Sequence, residues 1–248
     1  VNAPYVLYGV PWRHNSAGVN AIHRLVHELN ERGQRAYTIN PGNPAWNEPL
    51  LKWVGGFDGL RREGCEPIAI YDTIVHDNPF GARRIARWVL LQPGGLGEPH
   101  YIVQPNEVTF TWHRDFIDAP LLRVPLLETD LFVVDPAVER THDSVYHGKG
   151  RTATATIPSP IDTSGMVTMT AAWPPTREGV AALMQETRTF YTYDSVTQVA
   201  QEALLCGCEV VLLPENVPVT LDDVAAWHGE NDFAAMLDEF IRVTQTMP

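Results

Sequence analysis

The most informative stretch of the sequence runs from Phe190 to Pro214 and carries two acids, Asp194 and Glu202, eight positions apart. The apolar run Phe190–Tyr193 reads as a strand, Thr197–Leu205 as a helix stopped by Gly207, and Glu209–Leu213 as a second strand closed by Pro214. Asp194 then stands in the loop at the end of a strand, with Glu202 inside the following helix. Open α/β sheets bind ligands off the carboxyl ends of their strands. The helix that begins near Ser195 and Thr197 points its unpaired N–H groups at the same crevice, which suits a phosphate. Upstream, Lys149 lies between Gly148 and Gly150, with Arg151 behind it. Glycines on both sides let the backbone come close to a bound anion.

Those groups need a scaffold, and the hydrophobic pattern supplies one. Tyr5–Val10 is a short buried strand, Ile22, Leu25, Val26 and Leu29 recur at helical spacing, and Arg35–Ile39 is a second strand. A strand, a crossover helix and a parallel strand open an α/β fold. Ile68–Val75 is the next strand. Pro79 suits the first turn of a helix carrying Ile85, Trp88, Val89 and Leu91. Short strands follow at Tyr101–Gln104, Val108–Trp112, Leu121–Val124 and Leu131–Val134, then a polar linker over Asp135–Ser144. The pattern restarts with a strand at Val145–His147, another at Met166–Ala171 and a helix opened by Thr176-Arg177-Glu178. It closes with an amphipathic helix over Phe233–Val243. The expected fold class is α/β with two Rossmann-like domains facing a cleft, residues 1–144 and 145–248, the last helix packing back on the first domain.

The strand, the acid, seven residues, a second Glu and then Ala-x-x-x-Gly-x-x-Val-Val resemble the E-x7-E region of retaining GT-B glycosyltransferases. Asp194 takes the place of the usual first Glu, and Glu209 stands where a Pro is usual. The resemblance implies that Asp194 faces the donor sugar and Glu202 holds the ribose of the nucleotide. His147-Gly148-Lys149-Gly150-Arg151 resembles the family's Gly-Arg/Lys-Gly turn. Its cations, Lys149 first and Arg151 second, would stabilise the charge developing on a nucleotide diphosphate leaving group. Ser16-Ala17-Gly18-Val19 resembles the small-residue loop near the diphosphate, and places Gly18 there. Tyr71-Asp72-Thr73-Ile74-Val75-His76-Asp77-Asn78-Pro79-Phe80-Gly81-Ala82 resembles a segment of polysaccharide-type members. It makes His76, or Asp77, a contact for acceptor or donor sugar. His113 and Asp115 are further acceptor-side choices.

The resemblance thus implies transfer of a sugar from a nucleotide diphosphate donor to a hydroxyl acceptor with retention, without bound metal or separate cofactor. The acceptor would be a saccharide, a lipid-linked glycan or a modified nucleic-acid base. A non-catalytic binder of nucleotide sugars remains a rival reading, as does an epimerase or hydrolase on the same fold. For any single His, including His14 and His147, a structural role is the plainer reading. Arg83, Arg84 and Arg87 read as a solvated helix face, with Arg84 and Arg87 on one side.

Bulk properties narrow the classes further. The net charge is −12, and 13 of the 30 acids but only five of the 18 Lys and Arg lie beyond position 145. A fixed cation in that half therefore stands out, and a general nucleic-acid footprint is missing. The three Cys, one C-x-C pair among them, are a poor disulfide or zinc framework and read as reduced thiols of a cytoplasmic protein. No apolar run has the length of a membrane span, and the N-terminus has no signal-peptide pattern.

Overall fold

The computed structural model describes residues 2–52, 55–94, 106–148, 160–170, 172–194, 197–223 and 232–248. The chain forms two compact units, one of residues 1–125 with 231–248 and one of residues 126–230. Both are α/β and both are built on a five-stranded sheet.

In the first unit the strands are β1 (Tyr5–Tyr8), β2 (Ala36–Thr38), β3 (Ile68–Asp72), β4 (Arg84–Val89) and β5 (Glu107–Thr111). They lie in the order β2-β1-β3-β4-β5, and every pair is parallel. Helix α1 (Ala17–Glu31) connects β1 to β2. It starts at Ser16, whose hydroxyl accepts the Val19 N–H, and buries Ile22, Leu25, Val26 and Leu29. Helix α2 (Gly56–Arg62), not foreseen from the sequence, sets Phe57 and Leu60 against Val6, Ala69, Tyr71 and Ile85.

The segment read as a helix from Pro79 to Leu91 is instead a turn followed by β4. Asn78 closes the turn: its side-chain oxygen accepts the Ala82 N–H and its amide donates to the Ala82 carbonyl, both at 2.8 Å, with Gly81 at φ +56°. β4 lies between β3 and β5 and is buried on both faces. Its apolar residues Ile85, Ala86, Trp88 and Val89 are all buried and do not alternate with exposed ones, so their spacing does not separate a strand from a buried helix. Arg84 and Arg87 therefore share no helix face. Arg84 donates to the carbonyls of Thr244 and Gln245, while Arg87 is 1% exposed and paired with Glu107.

The second unit holds β6 (His142–Tyr146), β7 (Val167–Met169), β8 (Thr187–Thr192), β9 (Glu209–Leu212) and β10 (Val217–Val219). Their order is β7-β6-β8-β9-β10, parallel except for β10, which runs antiparallel to β9. Helix α3 (Arg177–Glu186) is capped by Thr176, and α4 (Gln198–Leu205) follows β8. Val180, Met184, Phe190, Ala203 and Val210 fill the core between them.

Two expectations shift here. The strand foreseen at Leu131–Val134 is a turn, and its Phe132 packs into the second unit's core, so that unit begins after Pro125. The supposed linker ends inside β6. At Leu121–Val124 a single bridge joins Leu121 to Thr111. The strand expected at Tyr101–Gln104 lies outside the described residues.

Helix α5 (Phe233–Gln245) belongs to the first unit. Phe240 stacks on Tyr5 at 5.8 Å and meets Phe110 at 4.9 Å. The Tyr5 hydroxyl lies 2.7 Å from Thr244 Oγ1, and the Gln245 side chain bonds both backbone groups of Ala3 at 2.9 Å.

Candidate functional site

In both sheets the first strand lies between the second and the third. Neighbouring chain segments leave the carboxyl edge in opposite directions at that point, which opens a crevice suited to ligands. The crevice lies beyond β1 and β3 in the first unit, and beyond β6 and β8 in the second.

At the second unit's edge Tyr146 and Thr192 are paired in register, and Tyr193 N–H donates to the Tyr146 carbonyl at 3.3 Å. One residue on, the His147 ring stacks on Tyr193 with centroids 5.5 Å apart and planes 17° off parallel. One further, Gly148 meets Asp194. Gly148 has φ +63°, and a Cβ there would lie 2.8 Å from the Asp194 Cβ. A side chain at 148 is thus excluded by both backbone and space. Thr192 Oγ1 accepts the Asp194 N–H at 3.0 Å, holding the half-buried acid at the strand end. Burial raises the Tyr146 phenol, and the nearby Asp194 charge raises it further. Thr197 is the N-cap of α4, and its side chain makes no capping hydrogen bond. Lys149, Arg151 and Ser195 lie outside the described residues.

Glu202 is in the second turn of α4 and is 0% exposed. Arg177, the first residue of α3, donates from Nη2 to Oε1 at 2.5 Å and from Nη1 to Oε2 at 3.2 Å. Gln198 Nε2 donates to Oε1 at 2.6 Å. Arg177 also donates from Nε to Glu128 at 2.7 Å and lies over the Phe132 ring. Burial works against the guanidinium charge, but the two carboxylates outweigh it and hold Arg177 above its ordinary value. Glu202 thus locks α3 to α4 and carries three hydrogen bonds already.

The first unit's crevice is a cavity of about 720 Å³. Tyr8, Gly9 and Val10 line it from the end of β1, Asn40 from the end of β2, and Asp72, His76 and Asp77 from the end of β3. Its walls are braced from behind. Asn40 Nδ2 donates to the Gly9 carbonyl at 2.6 Å. The buried His23 lies 2.9 Å from the Val10 carbonyl and 2.5 Å from Glu48. Arg87, paired with Glu107 at 2.6 Å, donates to the Val75 carbonyl and lies over the Tyr71 ring. The β3–β4 loop that carries the exposed His76 is therefore tied to a buried cation. Burial pushes the Asp72 carboxyl from its ordinary 3.8 up to about 6, against the pull of N–H groups and of Arg87 and His76.

Gly18 is in the first turn of α1, and nothing lies within 4 Å of where its Cβ would be. His113 is buried, and its Nδ1 accepts the Asp115 N–H at 3.2 Å. His14 lends its carbonyl to Asn20. Sequence reasoning passed over His23, quoted Asp72 only within the Tyr71–Ala82 segment, and read Arg87 as part of a solvated helix face. For Asp72 a signal existed, since it is the polar residue that ends the apolar run Ile68–Tyr71. Among the described residues no group of three or more His, Cys, Asp or Glu is arranged to hold a metal ion. Among those residues, too, no helix is long and apolar enough to cross a membrane.

No protein-family model matches the chain, and no curated protein does. Among solved structures, one described as T4 phage BGT in complex with UDP and Mn2+ is similar to it with a TM-score of 0.46 at 9% identity. That comparison covers 99% of this chain and 93% of that one. At that identity and score the likeness carries no functional argument.

Proposed function

We propose that the chain is a glycosyltransferase of the GT-B kind, moving a sugar from a nucleotide diphosphate donor to a hydroxyl acceptor. The observation that carries this reading is the contact of Gly148 with Asp194 at the carboxyl edge of β6 and β8. Two segments 46 positions apart, each resembling a donor-site motif, meet there beside the start of α4. A bare glycine backbone and a helix N-terminus suit a diphosphate, and a carboxylate alongside suits sugar hydroxyls.

In this reading Lys149, with Arg151 second, neutralises the leaving diphosphate. Ser195 and Thr197 add hydroxyl and N–H donors, and Asp194 orients the sugar. Glu202 reaches the ribose only by sharing an oxygen that Arg177 now holds, so fixing Arg177 is its first role. Gly18 and His76 belong to the first unit, and His76 lines the cavity assigned here to the acceptor. The resemblance implies retention at the anomeric carbon.

The buried Arg177–Glu202 pair also favours a second reading. A site whose ribose-binding acid is already occupied suits a non-catalytic binder of nucleotide sugars. One experiment separates the two. Calorimetry against a panel of nucleoside diphosphate sugars finds the donor, and chromatography then asks whether nucleoside diphosphate is released with saccharides, lipid-linked glycans or DNA containing hydroxylated bases. Release that depends on the acceptor supports transfer. Affinity without release supports the binder, and no affinity for any donor removes both.

A further inference from the structure

A saccharide, a lipid-linked glycan and a modified nucleic-acid base differ in charge, and the first unit's cavity discriminates by charge. All of its lining residues belong to that unit. Among them are Asp72 and Asp77, and no Lys or Arg. With its carboxyl at about 6, Asp72 is ionised at neutral pH. His76, the lining side chain that can gain a positive charge, is next to Asp77 in the chain. Arg87 lies behind the wall, its charge met by Glu107 at 2.6 Å and a donor engaged by the Val75 carbonyl. An anion entering this cavity therefore meets like charge.

The same walls expose apolar surface. Among the described residues of the first unit, three large apolar side chains are exposed: Val10 at 43%, Leu50 at 60% and Ile74 at 52%. Two of these three, Val10 and Ile74, line the cavity from the loops after β1 and β3. Exposed apolar surface gathered at a cavity marks a place of contact. A volume of about 720 Å³ is that of a small-molecule site. The polar groups left in the walls suit hydroxyls. The carbonyls of Gly9, Val10 and Val75 already have donors in Asn40, His23 and Arg87. A ligand hydroxyl then finds its acceptors in the carboxylates, of which Asp72 is held in place by the Ile74 N–H at 3.1 Å.

We propose that this cavity selects an uncharged hydroxyl compound with an apolar group attached, of the kind of an aryl glycoside, and turns away phosphorylated and nucleic-acid ligands. That this compound is the acceptor rests on the transfer reaction proposed above; the selectivity belongs to the first unit by itself. The apolar group lies against Val10 and Ile74, and the hydroxyls bond to Asp72 and Asp77.

The test is calorimetry on the whole chain without a donor. The probes are methyl hexopyranosides, the corresponding phenyl hexopyranosides, hexose 6-phosphates and a duplex of DNA containing hydroxylated bases. The phenyl glycosides are expected to bind about tenfold more tightly than the methyl ones. The 6-phosphates are expected to bind at least about tenfold more weakly than the parent hexoses. Ile74→Asp should abolish the preference for phenyl, while Leu50→Asp, at a similarly exposed site away from the cavity, should keep it. Asp77→Lys should admit the 6-phosphates. The proposal is overturned by 6-phosphates that bind as tightly as hexoses, by DNA that displaces the phenyl glycosides, by equal affinity for phenyl and methyl glycosides, or by no binding of any neutral probe at millimolar concentration. Each of these results leaves the transferase reading standing. That reading fails instead when the unaltered protein neither binds nor turns over any nucleoside diphosphate sugar, and the probe affinities still decide the selectivity.

Discussion

The two units use the same strand order and differ in how their edge acids are treated. In the helix that follows β8, Glu202 is sealed from solvent and bound by Arg177 and Gln198. Beyond β1 and β3, Asp72 is left with backbone donors and an open cavity. The topology produces a crevice in each case, but it does not decide whether an acid near that crevice is mortar or reagent. The partner decides. A carboxylate bound by a guanidinium has its charge and its lone pairs committed, whereas one facing an empty volume keeps both for a ligand.

The largest effect that can break this contrast is expected from Glu202→Ala. It removes two of the three carboxylate hydrogen bonds of a largely buried guanidinium, leaving Glu128 as its remaining partner, and should cost up to about 3–5 kcal/mol in urea unfolding. Converting both partners, Glu202→Gln with Arg177→Met, should recover much of that loss. If Glu202→Ala instead unfolds at the ordinary urea concentration and loses only nucleotide affinity, the carboxylate is a reagent and the contrast fails.

Next come two glycines of equal standing in the sequence. Gly148→Ala places a Cβ against Asp194 at positive φ and should cost about 2–3 kcal/mol along with most donor affinity. Gly18→Ala meets open space in a helix and should raise stability by about 0.5–1 kcal/mol. Thermal unfolding and calorimetry on both variants sharpen the division of labour if Gly18→Ala also weakens ligand binding.

The last effect concerns pH. Asp72 has a folded pKa of about 6 against an ordinary 3.8, so between these values the folded state holds a proton that the unfolded chain has lost. Stability therefore falls as pH rises through that window. Asp72→Asn should be more stable than the parent by about 1–2 kcal/mol at pH 7, and the gain should disappear below pH 4. An unchanged melting temperature at pH 7 would mean that Asp72 is well solvated and no different from a surface acid.

Much of the scaffold was legible in the residues because the strongest periodic segments, α1, α3 to α5 and the strands around them, bury one face each. β4 was not, because burial on both faces erases the alternation that marks a strand, and Pro79 then invites a helix. The boundary between the units was misplaced because residues 126–141 form no regular element, and no local pattern tells which core will capture Phe132. At the candidate site the edge segments themselves could be found by their strand–acid–helix frame. What each carboxylate touches could not. Glu202 is bound by an arginine 25 positions away, and Asp72 accepts backbone N–H groups at the rim of a cavity, both products of tertiary packing.

Helix α5 gives the chain an order of assembly. On the ribosome, residues 126–230 emerge with everything their own core requires, and they can fold while the first sheet still waits. That sheet keeps Tyr5 and Phe110 uncovered until Phe240 leaves the exit tunnel. A message truncated between Val219 and Phe233 would yield a product whose middle has its core and whose beginning is a target for chaperones and proteases.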